Sequence, residues 1–525
     1  MTVSDSLLSW WSELTSKIDD LNFQLFIFSV ISWVTLWYLF RKATFPLPPG
    51  PRGLPGLGYL PFLGPNLHHE FTKLAQRYGP IFKLQLGFKK YIIVSSSDLA
   101  KEVVRVQDDV FANRDPSLAG IIITYGGKDI VWSDNNSYWR NLRKVFVAEV
   151  LSNKNLEASR TFRRAGVRKV IKHVYNETMG TEVDVGGIAF TSSLSVVTSM
   201  MWGKSLDEDE KSSNLGVGFR EVISKIIELL GTPNVSDLFP VLSRFDLQGV
   251  QRDMKQQLRE VDEIFQRIIE DRMSDKPGQS VEQLGKTDLL QVLLEHKQQN
   301  NASTFSITQI KALFMDIVTG GTDTTSTMAE WTMSELLKNP EVMNKIQDEL
   351  EQVVGLNNVV EESHLPQLHY LDAAIKETFR LHPPLPLLIA RCPNQPCNVG
   401  GYTVPQGSNV FLNAWAIHRD PQYWENPTEF DPNRFLKPDG TTKFDYLGNN
   451  TNFLAFGSGR RRCPGVPLGE KILVYLVASL LHSFDWTLPK DKQHDLSDKF
   501  GIVLKKTSPL MAIPSQRLPD KSLYL

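Results

Sequence analysis

Cysteine is scarce in this chain: Cys392, Cys397 and Cys463 are the three among 525 residues. Three thiols cannot build a disulfide framework. No two are spaced as C-x-x-C, which removes the common zinc ribbons and fingers, and no C-x-x-C-H stretch is present to carry a covalently attached haem. This usage fits a reducing compartment. An excess charge of either sign is also missing, since 57 basic residues face 59 acidic ones for a formal net charge of −2. Nothing in that balance favours nucleic acid or a strongly acidic partner. No flavin- or nicotinamide-binding domain is recognisable, so redox chemistry would have to draw its electrons from another protein. What the chain does have is length, enough to bury a cofactor-sized cavity.

One long uncharged run is present, Leu21 to Phe40. As a helix it is long enough to cross a bilayer core of roughly 30 Å. Trp33, Trp37 and Tyr38 lie toward its C-terminal end, where amphipathic rings favour the membrane interface. Arg41 and Lys42 follow it, while Asp5, Glu13, Asp19 and Asp20 outweigh Lys17 before it. The positive-inside rule then keeps the C-terminal flank in the cytosol. A cleavable signal peptide would want a basic start and a small-residue cleavage site, and neither is here. The expected organisation is a lumenal stretch 1–20, a signal anchor 21–40, a basic and proline-rich hinge 41–64 and one catalytic domain 65–525. The hinge, with Pro46, Pro48, Pro49, Pro51 and Pro55, is expected to form a stiff spacer with glycine turns.

Further along, Ile81 to Leu86 alternates apolar and polar residues, and Gly87 and Tyr91 to Val94 follow, which predicts a small hairpin. Most later segments have helical period, so the fold class is mainly α with a small β-sheet region. Trp139-Arg-Asn-Leu-Arg143 opens a helical stretch in which positions i and i+4 share a face. An indole N–H and a guanidinium can there point at one anion, although a solvated helix face fits the same pattern. Ser306 to Lys338 is the longest periodic segment. Ser306-x-x-Gln309 predicts a capping box and Asn339-Pro340 a stop. Its middle, Gly320-Gly-Thr-Asp-Thr-Thr325, is poor helix-interior sequence and predicts a distorted backbone that leaves room for a ligand. Glu377-Thr-Phe-Arg380 places opposite charges on one helical face behind Leu371, Ile375 and Phe379. That pair fits a surface ion pair as well as a buried one.

The richest stretch is Phe456-Gly-Ser-Gly459-Arg-Arg461-Arg-Cys463-Pro-Gly465. Its glycines permit tight turns and close approach to a flat ligand. Backbone amides, the N-terminus of the apolar helix that follows and the neighbouring arginines would all favour a thiolate over a thiol. A thiolate so held can be the single axial ligand of a haem iron, though a glycine-rich turn around a buried cysteine is the plainer alternative.

Taken together, the loop F-x-x-G-x-R-x-C-x-G, the motif [AG]-G-x-[DE]-T-[ST], the E-x-x-R pair and W-x-x-x-R resemble the cytochrome P450 family. The likeness runs over nearly the whole chain, from anchor and hinge to Phe500-Gly-Ile-Val-Leu504. That last wording and Ala414-Trp-Ala-Ile-His-Arg-Asp-Pro421 are similar to plant microsomal members, and Tyr125 to Trp132 is similar to a subgroup that includes terpenoid hydroxylases. The resemblance implies haem b with Cys463 as its metal ligand, Trp139, Arg143, Arg391 and Arg461 as its holders, and Asp323 and Thr324 as the catalytic pair that relays protons from solvent to dioxygen. It implies a buried network of Glu377, Arg380 and Arg434, and a substrate pocket drawn from Ile122 and its neighbours Ile121 and Ile123, from Phe314, Ile317 and Gly320, and from Leu387, Leu388, Ile389, Ile502 and Val503. His382, His418 and His482 are expected to be structural.

Implied partners are an NADPH-fed membrane reductase docking near Arg140, Lys144 and Arg462, cytochrome b5, the lipid bilayer of the endoplasmic reticulum and a hydrophobic substrate, with no nucleic acid. NADPH is used indirectly, through the reductase. The implied reaction inserts one oxygen atom into a plant metabolite such as a mono- or sesquiterpenoid. Two other readings stay open: a haem-thiolate isomerase or dehydratase that needs no reductase, and a haem-binding membrane scaffold without turnover.

Overall fold

The computed structural model describes residues 46–203, 210–274, 288–299, 306–490 and 494–525, with Leu25 and residues 28–32 before them. Met1–Leu47 forms one unit and Pro48–Leu525 a second. Most of the expected anchor therefore lies outside the described residues; Leu25 and residues 28–32 within it are helical, with Leu25 and Phe28 exposed.

The second unit is mainly helical. Its principal helices are α1 (Leu67–Tyr78), α2 (Leu118–Ile123), α3 (Ser137–Glu149), α4 (Arg160–Glu177), α5 (Val185–Trp202), α6 (Glu210–Gly231), α7 (Val250–Ser274), α8 (Leu289–Gln299), α9 (Ile307–Lys338), α10 (Pro340–Val353), α11 (His369–Leu381) and α12 (Val466–Ser483). The expected hairpin is β1 (Ile81–Leu86) paired antiparallel with β2 (Lys89–Val94), in register Ile81 with Val94. A third strand, β3 (Asn409–Leu412), joins β2 in parallel. Later strands are β4 (Phe484–Thr487), β5 (Asp498–Lys499), β6 (Lys505–Lys506) and β7 (Met511–Gln516); β7 pairs with β4, and β5 with β6.

The proline- and glycine-rich stretch before α1 is fastened to the sheet from Pro49 onward. The Lys83 N–H donates to the Pro49 carbonyl at 2.8 Å and the Tyr59 N–H to Gln85 at 2.7 Å. A Cβ at Gly58 would lie 2.0 Å from the Gln85 carbonyl oxygen, so only glycine lets the chain lie this close to β1.

Helix α9 organises the rest. Ser306 and Gln309 form the capping box the sequence predicts, and the helix then runs 32 residues, ~48 Å at 1.5 Å per residue. Ile310 to Val318 contribute to one apolar cluster, built with α2, α3, α5, α6 and α7; Met328 to Leu336 contribute to another, with α4, α10, α11 and α12. Between them the segment 319–327 carries no large apolar side chain. The core is interrupted there because packing atoms are missing.

The backbone is not interrupted. The helix is continuous through Gly320 to Thr325, which corrects the expected distortion. Each hydroxyl that competes for backbone is accommodated by the preceding turn: Thr319 Oγ1 donates to Met315, Thr322 to Val318 and Thr324 to Gly320, at 2.6–2.7 Å. Gly321 has a packing reason, since a Cβ there would press to 3.2 Å from Val197 Cγ2 on α5, whereas Gly320 faces open space.

Among the described residues two helices, α5 and α12, are long and apolar enough to cross a membrane, and both are mostly buried inside the fold.

Candidate active site

Two adjoining cavities of about 260 and 180 Å³ lie beside the core gap of α9. Both are lined by Gly320, Thr324, Phe456 and Cys463, so the glycine-rich loop forms one wall and the middle of α9 the opposite one. Within the loop, Gly457 and Gly459 take φ of +71° and +68°. A Cβ at Gly459 would meet Asp108 Oδ1 and the Val104 carbonyl oxygen at 2.4 Å each, so this glycine is required twice over. The Cys463 N–H is held by the Phe456 carbonyl at 3.0 Å, which closes the loop and turns the sulfur to the cavity.

Burial pushes the Cys463 thiol up, against the pull of the Gly465 and Val466 amides and of Arg143 and Arg462. The amides and arginines pull toward a thiolate, as the sequence leads one to expect, while burial outweighs them in the chain by itself; a coordinating cation would discharge the proton.

Four buried or half-buried guanidiniums face the larger cavity: Arg114, Arg143, Arg391 and Arg461. Arg391 pairs with Asp108 at 3.1 Å and donates to Ser458 at 2.6 Å. Arg461 donates to the carbonyls of Ala112, Ile130 and Ser133. Arg143 donates to the Arg462 carbonyl at 2.5 Å. Arg114, which the sequence reading missed, donates to Ile389 and Ala390 at 2.5 and 2.7 Å. Burial first, and then mutual repulsion, lowers the pKa of Arg461 to about 10 and pushes Arg114 well down. This much desolvated positive charge asks for an anion of more than one unit. An apolar slot with a sulfur on one wall and arginines at its edge fits a flat, dicarboxylate macrocycle such as haem.

Trp139 does not act as the sequence suggested. Its indole N–H is taken by the Ile130 carbonyl at 2.8 Å, and its ring is a platform for Arg461, 4.1 Å from the guanidinium carbon, with Arg143 at 5.6 Å. The tryptophan seats the arginines and has no N–H left for an anion.

The expected catalytic pair, Asp323 and Thr324, is divided between two environments. Thr324 faces both cavities with its hydroxyl hydrogen on Gly320. Asp323 is 3% exposed and turned away; its Oδ1 lies 2.7 Å from Lys505 Nζ, and its Oδ2 has no hydrogen-bond partner. Burial raises its pKa and Lys505 pulls it back.

Of the expected pocket residues, Gly320, Leu388, Ile502 and Val503 line the larger cavity with Ile389, and Ile317 the smaller. Ile122, Phe314 and Leu387 do not. Ile123 takes the inward position of α2, because one residue on a helix is a rotation of ~100°. Phe314 is fully buried against Phe265 and Trp202. Leu388 adopts φ +51°, and that turn sends Leu387 to the cluster around Phe71 and Phe82.

A second missed residue is Asp316, two turns before Thr324 and lining both cavities. Its Oδ2 accepts the Ile130 N–H at 2.7 Å, while the Ile130 carbonyl receives Trp139 and Arg461. Asp129 beside it accepts the amides of Val131, Trp132 and Ser133. Burial and then the Asp129 charge raise Asp316 well above the usual carboxylate value. A lone aspartate in an apolar helix was the available signal.

Away from the cavity, Arg380 makes a two-bond fork to Glu377 at 2.6 and 2.7 Å, both side chains fully buried. Arg434 Nε lies 3.3 Å from the same carboxylate without an aligned hydrogen bond, and its Nη2 donates to Asn426. His382 contacts Glu335, His418 accepts from the Leu454 amide and His482 contacts the Gly355 carbonyl, so all three are structural.

A family model for Cytochrome P450 matches residues 48–513. The chain belongs to that family, whose members are haem-thiolate monooxygenases with a cysteine as the axial ligand and electrons drawn from NADPH through a reductase. Among its relatives, geraniol 8-hydroxylase of Catharanthus roseus is 38% identical over 93% of this chain and 98% of its own. 7-ethoxycoumarin O-deethylase of Helianthus tuberosus is 37% identical over 92% and 97%. A solved zebrafish cytochrome P450 with progesterone superposes with a TM-score of 0.71 at 26% identity, covering 86% of this chain and all of the other.

Proposed function

We propose that this protein is a membrane-anchored monooxygenase that hydroxylates a small, mostly apolar plant metabolite of the mono- or sesquiterpenoid class. The observation that carries this reading is the apolar cavity that brings Cys463 and Thr324 to facing walls, bounded by Ile123, Ile227, Leu388, Ile502 and Val503. The relative from Catharanthus roseus, a geraniol 8-hydroxylase, supports hydroxylation of a compound of this class. The overall change is substrate C–H plus dioxygen, NADPH and a proton giving C–OH, water and NADP⁺.

Haem would be held by Cys463 through its sulfur and by Arg114, Arg143, Arg391 and Arg461 through its carboxylates, and would supply the redox chemistry toward dioxygen. The chain's own residues handle the protons. Thr324 donates its hydrogen to the Gly320 carbonyl, which leaves its oxygen lone pairs to accept a hydrogen bond from a water in the cavity. Asp323, with its raised pKa and a half-exposed Lys505 on Oδ1, takes protons from solvent and passes them across by turning its side chain. The cavity wall excludes bulk water from that path.

Arg140 and Lys144 are exposed on α3, the helix whose Arg143 reaches the cysteine loop, which supports reductase docking on that face with cytochrome b5 as a second donor. The uncharged run at 21–40 supports a single span in the endoplasmic reticulum membrane. Microsomes given reductase, NADPH, labelled dioxygen and geraniol or a sesquiterpene alcohol should form product carrying one labelled oxygen. Conversion without reductase, or product without label, would sink the reading.

A further inference from the structure

A second cluster of ligating atoms lies away from the cavity, where α1 meets β5. His68 Nε2 and His69 Nε2 lie 3.2 and 3.1 Å from the same atom, Asp498 Oδ2, and the three ligating atoms fall within 4.8 Å of one another. His68 is fully buried, Asp498 nearly so, and His69 is about a third exposed, which gives the cluster one open side. The rings are held in place by aromatic neighbours. Phe500 stacks on His68 at 5.5 Å, and Trp415 stands 5.6 and 4.8 Å from His68 and His69.

We propose that His68, His69 and Asp498 form a site for a divalent transition-metal ion of the zinc class, coupling the first helix to the C-terminal turn that lines the substrate cavity. Zinc bonds of ~2.0–2.2 Å to nitrogen and oxygen set tetrahedral ligand atoms roughly 3.3 Å apart, so both nitrogen–oxygen separations are already near their bound values. Closing the remaining gap requires a rotation of the partly exposed His69 ring. Two imidazoles and one carboxylate, with an open side for water, form a donor set this class of ion accepts.

The same geometry limits the affinity. His68 Nδ1 has no hydrogen-bond partner, so binding through Nε2 moves the ring proton to a buried and unsupported position. Arg419, stacked on Trp415 and a charge felt by His68, also opposes a cation. The site is therefore suited to reversible occupation and is not one the fold depends on. Its consequence would reach the cavity because Asp498 precedes Phe500, whose N–H donates to Asn66 at 3.1 Å, and because Ile502 and Val503 of the following turn line the cavity.

The test uses the full, haem-loaded chain without an affinity tag, titrated calorimetrically with zinc chloride. One saturable equivalent is expected, weakened ~10-fold or more by either His69→Ala or Asp498→Asn, with the carbon-monoxide difference spectrum of the reduced protein unchanged. His69→Gln, closer in shape, serves if His69→Ala loses that spectrum. Zinc should also shift the midpoint of the substrate-induced Soret change in the natural chain and not in the variants. Absence of saturable zinc binding, or equal binding by all variants, overturns the proposal.

Discussion

Thr324 is the residue on which oxygen activation is expected to turn, because it alone of the proposed catalytic pair faces the cavity. Thr324→Ala removes the hydroxyl but not the helix turn, so haem loading should persist while peroxide rises and product per NADPH falls several-fold. An unchanged coupling ratio would refute its role. Asp316 acts through others. Replacing it with Ala leaves the Ile130 N–H without an acceptor, a cost of about 1–3 kcal/mol. Ile130 is the hub between α9, Trp139 and Arg461, so substrate affinity measured by the Soret shift should weaken and haem should dissociate faster. Asp316→Asn, which keeps an acceptor, should restore most of both. Gly459→Ala should abolish the 450 nm spectrum, since its Cβ has no room and its φ is left-handed.

At the scale of elements, α9 and α11 do different work. Helix α9 makes room by what its middle lacks, and α11 locks the fold around the cysteine loop through Glu377 and Arg380. Arg380 also donates to the carbonyls of His418, Pro427 and Glu429, tying α11 to the segment that leads to the loop. Glu377→Ala strands that guanidinium in the core, and breaking a buried pair costs about 3–5 kcal/mol. The expected result is haem-free or misfolded protein, read as loss of the reduced carbon-monoxide band. Full haem loading would contradict the network. These helices were legible in sequence because their apolar period, and for α9 the capping box, are local. The continuity of α9 through Gly320 and Gly321 was not, because tertiary packing of α5 against Gly321 overrides the low helix propensity of glycine.

The whole molecule should be sensitive to acid. Burial, and then Arg380 and Arg419, lowers the His418 pKa to about 3, and burial lowers that of His482 to about 4. Both folded values lie below the unfolded one near 6.5, so the stabilising contribution is complete above that pH and is lost as pH falls toward the folded values. Between pH 7 and 5 each of these two imidazoles should withdraw about 2 kcal/mol, against the opposite contribution of buried carboxylates with raised pKa such as Asp316 and Glu377; His418→Gln or His482→Gln should therefore make the acid fall of the denaturation midpoint shallower, and an unchanged slope would contradict this. Local chemistry could be read from the residues alone. The cysteine loop, the capping box, the E-x-x-R pair and the hairpin are written in residues a few positions apart, and turn, helix and strand geometry act at that range. Tertiary structure alone decided which side chains share a space. It used up the Trp139 N–H on Ile130, brought Arg114 beside Arg461 and turned Leu387 away from the cavity while Leu388 entered it. It also set His68 and His69 against Asp498, some 430 residues away in sequence. Such encounters depend on how elements pack, and on whether a rotation of one residue points a side chain inward or out, which no local pattern encodes.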